Sequence, residues 1–154
     1  MKWKWIALAA TVLALPAPAL AAPPSVTITA DTVLRFGNFV VITAGSRTIS
    51  ASGAVTNSGI FPVGSAPVGP AQFTVTFDRG NNSPQAMTAT FQVVLGTVSP
   101  VSQAGVTGAL SGFVSDLPGA PVLVPGQVVT YTIPSCATRT CSRTFRIGAL
   151  SAGI

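Results

Sequence analysis

The chain has 154 residues, enough for one domain and too short for two ordinary ones, and only 7% of them are charged against 48% hydrophobic. That balance excludes a highly charged disordered chain. His and Glu are absent and the two lysines, Lys2 and Lys4, lie within the first five residues, so the rest of the chain lacks the side chains that most often move protons near neutral pH.

Residues 1–5 carry both lysines, residues 6–15 are apolar except for Thr11, and residues 17–22 are rich in small side chains. These are the three parts of a secretory signal peptide. Ala19 and Ala21 supply the small residues that place cleavage after Ala21, which divides the chain into a signal peptide, 1–21, and one exported domain, 22–154. An uncleaved membrane anchor is disfavoured, because the apolar stretch falls short of the roughly 20 residues of a span and is broken by Pro16 and Pro18. The exported part keeps six arginines (Arg35, Arg47, Arg79, Arg139, Arg143, Arg146) against Asp31, Asp78 and Asp116, so the net charge of +5 falls to +3. No basic run or basic-aromatic stripe forms, and nucleic acid has no footprint. Arg139, Arg143 and Arg146, with no acid near them in sequence, read as gatekeepers on a solvated strand edge rather than as a contact for an anionic surface.

Beyond the signal, apolar and hydroxyl residues alternate with a period of two, which predicts strands. Residues 26–30 alternate. Residues 39–42 form a short apolar run suited to burial on both faces, and residues 47–52 alternate again between Gly45 and Gly53. Residues 72–77 put Phe73, Val75 and Phe77 on one face and Thr74 and Thr76 on the other, the strongest strand signal in the chain. Turn formers crowd residues 78–84, and behind them Met87, Ala89, Phe91, Val93 and Leu95 share one face of a return strand. The spacing predicts a hairpin. Residues 106–115 alternate, Asp116-Leu117-Pro118-Gly119 reads as a turn, and strands are expected over 128–133 and 143–150.

Between those last two strands lie Cys136 and Cys141. In an oxidising compartment the pair is expected to form a disulfide that clamps a hairpin tip; it closes a six-residue loop, worth about 2 kcal/mol in the chain-entropy account. The spacing is not Cys-x-x-Cys, and without His it makes no convincing zinc site. Eight or so strands between Gly- and Pro-rich loops predict an all-β fold, a single antiparallel two-sheet β-sandwich. Its core is expected on Phe36, Phe39, Phe73, Phe77, Phe91, Phe113, Tyr131 and Phe145.

Chemistry is sparse. Asp78 and Asp116 each open a turn and Asp31 follows a strand, positions where a short carboxylate accepts backbone N–H groups. Asp78, Asn81 and Asn82 offer oxygens to calcium but lack the EF-hand spacing and its closing Glu. Asn81-Asn82-Ser83 matches a glycosylation triplet of a kind frequent by chance in turns. No catalytic residue, metal or cofactor is expected.

At Leu34-Arg35-Phe36-Gly37-Asn38-Phe39, Gly53-Ala54-Val55, Pro70-Ala71-Gln72-Phe73-Thr74-Val75 and Phe145-Arg146-Ile147-Gly148 the sequence resembles the family of the domain of unknown function numbered 4402. The resemblance spans most of the exported part. It implies an exported protein of Gram-negative proteobacteria, immunoglobulin- or pilin-like in fold, at the periplasm or cell surface, with a structural or adhesive role. Family members usually continue past the Phe-x-x-Gly strand, whereas Ile154 follows within six residues of Gly148, so the sandwich is expected to lack its last strand. Either the product is then shortened and less stable, or its vacant edge accepts another extended segment, as in donor-strand complementation. Residues 22–30 are read as the first strand in preference to such a donor.

The expected function is a non-enzymatic structural, adhesive or assembly subunit of the cell envelope that meets itself or another exported β protein through strand edges. The alternative is a monomeric module for a glycan or envelope polymer. An enzyme relying on Asp31, Asp78 and Asp116 is the remaining rival. No nucleic-acid partner is expected, and no membrane span once the signal is removed.

Overall fold

A computed structural model describes residues 22–82, 85–103 and 106–153, so the expected signal segment and Ser83 lie outside the described residues. In chain order the strands are β1 (Ser25–Thr32), β2 (Arg35–Phe36), β3 (Phe39–Ile49), β4 (Val55–Pro62), β5 (Val68–Gly69), β6 (Ala71–Asp78), β7 (Met87–Val94), β8 (Val101–Gln103), β9 (Val106–Ser115), β10 (Val122–Leu123), β11 (Val128–Cys136) and β12 (Thr140–Gly153). Every ladder is antiparallel, and no helix occurs among the described residues. The all-β antiparallel class follows the alternation. The strands divide, however, into a curled eight-stranded sheet and two two-stranded ones, β7–β11 and β2–β5, rather than into two sheets of similar size.

The reason lies in β12, whose alternation runs on for 14 residues and serves several partners. Thr140 to Ile147 pair with β6, Ala149 to Gly153 pair with β3, and β9 pairs with β12 from Ile147 onward. Ile147 faces both Ala71 of β6 and Ser115 of β9, so those two strands occupy opposite edges. Since β3 and β9 likewise share partners on β12, β3 must follow β6 along the same edge. The handover falls at Gly148, where a Cβ would overlap the backbone of Ile49 and Ser50. Glycine lets the strands abut there.

Three expectations are corrected. The runs at 39–42 and 47–52 are largely one strand, β3, whose pairing with β4 shifts register between Val41 and Ser46, so Gly45 marks an irregularity instead of an end. The predicted hairpin of β6 with β7 does not form: both edges of β6 are taken, by β1 and β12, and β7 crosses to pair with β11. By the same logic β11 and β12 belong to different sheets, and the Cys136 and Cys141 segment spans a crossover between sheets, not a hairpin tip.

The β7–β11 ribbon lies against the β6–β12 face. Ala89, Tyr131 and Ile133 are buried with Val75, Phe77 and Phe145, and the β9–β10 segment closes one end with Phe113, Leu117 and Leu123. Tyr131 sits 6.1 Å from Phe145 and meets Phe91 edge-on at 5.0 Å, while Phe73 stacks on Phe145 at 5.4 Å. Burying each such side chain contributes about 1.5–3 kcal/mol, so these rings dominate what joins the two layers. Phe36, Phe73 and Phe91 are only half-buried at the margin of this core, and Phe39 packs instead beneath the Arg47 guanidinium, 5.9 Å from its ring centre.

Candidate interaction surface

One side of the core is closed by polar and covalent contacts. The turn after β6 begins as its sequence suggests: Asp78 Oδ1 accepts the Gly80 N–H at 2.8 Å. That bond, with the Arg139 guanidinium beside it at 3.3 Å, holds the Asp78 carboxyl below its usual pKa. Arg79, among the turn formers of residues 78–84, is 1% exposed. Its Nη1 donates to the Cys136 carbonyl at 3.2 Å, its Nη2 to the Gln85 carbonyl at 2.5 Å, and its backbone N–H to the Arg139 carbonyl at 2.9 Å. Cys136 and Cys141 stand at disulfide distance, with Cα atoms 5.8 Å apart, and Cys136 is buried. The chain leading into β1 passes over this turn: a Cβ on Gly80, whose φ is +73°, would overlap the Ala22 carbonyl.

The side at β1 and β7 is open. Val26 and Ile28 of β1 pair with Phe77 and Val75 of β6, and directly paired residues share a face, so both project toward the core. Val75 is 1% exposed, yet Ile28, one strand further out, is 58% exposed. All eight residues of β1 are exposed. Its second edge has no partner strand among the described residues, and neither does the edge of β7 that faces away from β11. Between them runs a cleft of about 400 Å³ bordered by Val26, Ile28, Val75, Phe91, Val93 and Val94, continued by a smaller hollow toward Leu123. Edges of this kind are normally guarded by charge or proline. The only charge on β1 is Asp31, near its C-terminal end, and β7 has none.

The outer face of β1, β6 and β12 carries hydroxyl rows. Thr27, Thr76 and Ser142 lie in register, as do Thr29, Thr74 and Thr144. Thr76 and Ser142 hydrogen-bond at 2.9 Å, and Thr74 donates to Asp31 at 2.7 Å.

The three aspartates thus have separate structural partners. Asp31 accepts from Thr74 and Gln72 across the strands in place of capping a turn, because the alternation of β1 puts it on the outer face with Thr27 and Thr29. Asp116 accepts the Arg146 backbone N–H at 2.6 Å, and the Arg146 side chain reaches Gln72 Oε1 at 3.3 Å, so Gln72 and Arg146 stand between Asp31 and Asp116. The arginines near the C-terminus are not isolated from acids in space: Arg139 pairs with Asp78. Sequence reasoning also missed Arg47, which is 5% exposed with Nε and Nη1 lacking an acceptor among the described residues. Its sequence signal was position alone, two residues before Ile49 on the core face of β3. No group of three or more His, Cys, Asp or Glu able to hold a metal gathers among the described residues.

The family model described as Domain of unknown function (DUF4402) matches residues 26–150. No curated protein matches, and no solved structure does.

Proposed function

We propose that this chain, which belongs to the DUF4402 family, is an exported, non-enzymatic structural or adhesive subunit of the Gram-negative cell envelope that meets its partners through strand edges. In this reading the curled sheet and the β7–β11 ribbon act as a two-layer, pilin-like sandwich with one side left for a partner. The observation that carries it is the contrast across β1: an eight-residue strand with an edge unpaired among the described residues and alternating apolar side chains, none of them buried, beside a core that is closed one strand away. An added extended segment gains main-chain hydrogen bonds along such an edge, and pockets for alternate side chains select its sequence. The absence of His and Glu from the whole chain agrees with a contact role, and a cysteine pair at disulfide distance suits an oxidising compartment. The test combines cell fractionation with titration of a labelled peptide of sequence Ser25–Thr32 onto the purified protein. Recovery outside the cytoplasm and saturable peptide binding are expected. Cytoplasmic retention, or a protein that ignores the peptide, defeats the reading.

A second reading, a monomeric module for an uncharged envelope polymer, is favoured by the hydroxyl rows on the outer face of β1, β6 and β12. It predicts saturable polysaccharide binding that Thr29→Val and Thr144→Val weaken without altering peptide binding at the edge.

A further inference from the structure

We infer that the partner at the open side is a second copy of this chain, joined β1 to β1 about a two-fold axis normal to the sheet; the inference rests on the edge-pairing reading above. A two-fold contact uses one surface twice, so the surface must complement itself. Strand β1 does so. In an antiparallel pair centred on Ile28, Ile28 faces its own equivalent, Val26 faces Ala30 and Thr27 faces Thr29. Apolar residues meet on the inner face and hydroxyls on the outer one. Asp31 then lies opposite Ser25 of the other copy, so the strand's only charge does not oppose itself.

The same axis closes the cleft. It keeps both inner faces on one side of the joined sheet, so the free edges of the two β7 strands approach each other above the paired β1 strands. Ile28, Val26 and Val94, which are 58%, 48% and 53% exposed, are covered together. Eight exposed strand residues and the neighbouring cleft amount to roughly 600 Å² per copy, or about 1,200 Å² in all, the lower end of what specific complexes bury. A reversible dimer is the expected result. Pro23 and Pro24, which lack backbone N–H donors, stop the pairing at the start of β1 and set the length of the seam.

Sedimentation velocity on the purified exported protein across a concentration series tests this. The protein dimerises reversibly, Ile28→Lys raises the dimer dissociation constant at least tenfold with an unchanged circular dichroism spectrum, and Val55→Lys, at an exposed position on β4, leaves it unaltered. A protein monomeric at every concentration overturns the inference, as does an oligomer that tolerates Ile28→Lys or dissolves with Val55→Lys. If that monomer still binds the Ser25–Thr32 peptide, edge pairing stands and only the second copy is refuted. If it does not, both fall together.

Discussion

The two sides of the core are finished by different means. Where the chain crosses between sheets after β6 and β11, Arg79, the Asp78 turn and the cysteine pair bring polar groups inside and give each a partner. Where the core ends at β1 and β7, apolar side chains and unpaired backbone face outward. The first arrangement ties the molecule to itself. The second leaves surface whose burial gains free energy only when something else arrives. Stability and contact are therefore expected to separate between the two sides.

Four substitutions or titrations probe that separation. The largest effect belongs to Arg79→Met, which takes the guanidinium donor from the buried Cys136 carbonyl and breaks its bond to the Gln85 carbonyl; about 3 kcal/mol of unfolding free energy is expected to vanish in urea titrations. Replacing both Cys136 and Cys141 by Ala comes next. Its expected cost is about 2 kcal/mol, read from thermal melts, because the closed loop is short. A smaller, pH-dependent effect attaches to Asp78. Its folded-state pKa is depressed by the Gly80 N–H and by Arg139, so its contribution is complete above the ordinary carboxylate pKa and disappears as pH falls through the lower folded value. Melting temperature should decline over that acid window, and Asp78→Asn should flatten the decline. The smallest effect is assigned to Ile28→Thr: stability within about 0.5 kcal/mol of the parent protein, since the side chain is already wet, alongside clearly weaker peptide binding. A large stability loss at Ile28, or none at Arg79, would erase the difference between the sides.

Local pattern made the strands legible. Thr74 and Thr76 against Phe73, Val75 and Phe77 define both faces of β6, and the burial of Val75 and Phe77 follows directly. Partner choice was hidden, because the alternation that makes β6 and β7 compatible as a hairpin makes them equally compatible with β12 and β11. A period of two states which face a residue occupies and says nothing about which edge is taken. The open side at β1 was not legible: the vacant position was expected beyond residues 145–148, and exposure of Val26 and Ile28 depends on what fails to cover them. The buried arginines were least visible. Arg47 and Arg79 look like ordinary surface charges until long-range contacts close around them.

The strand to which β3, β6 and β9 are all joined is β12, the last of the described strands to leave the ribosome. Its partners wait through about a hundred residues of synthesis in the case of β3 before their ladders can be completed, a strongly non-local topology that slows folding. A nascent chain halted before Thr140 would leave an edge of β3, β6 and β9 unpaired and the eight-stranded sheet unfinished, a species vulnerable to proteases and dependent on holding chaperones. Closure of the large sheet is thus tied to the synthesis of β12, so the strands it joins are the last part of the body to be locked together.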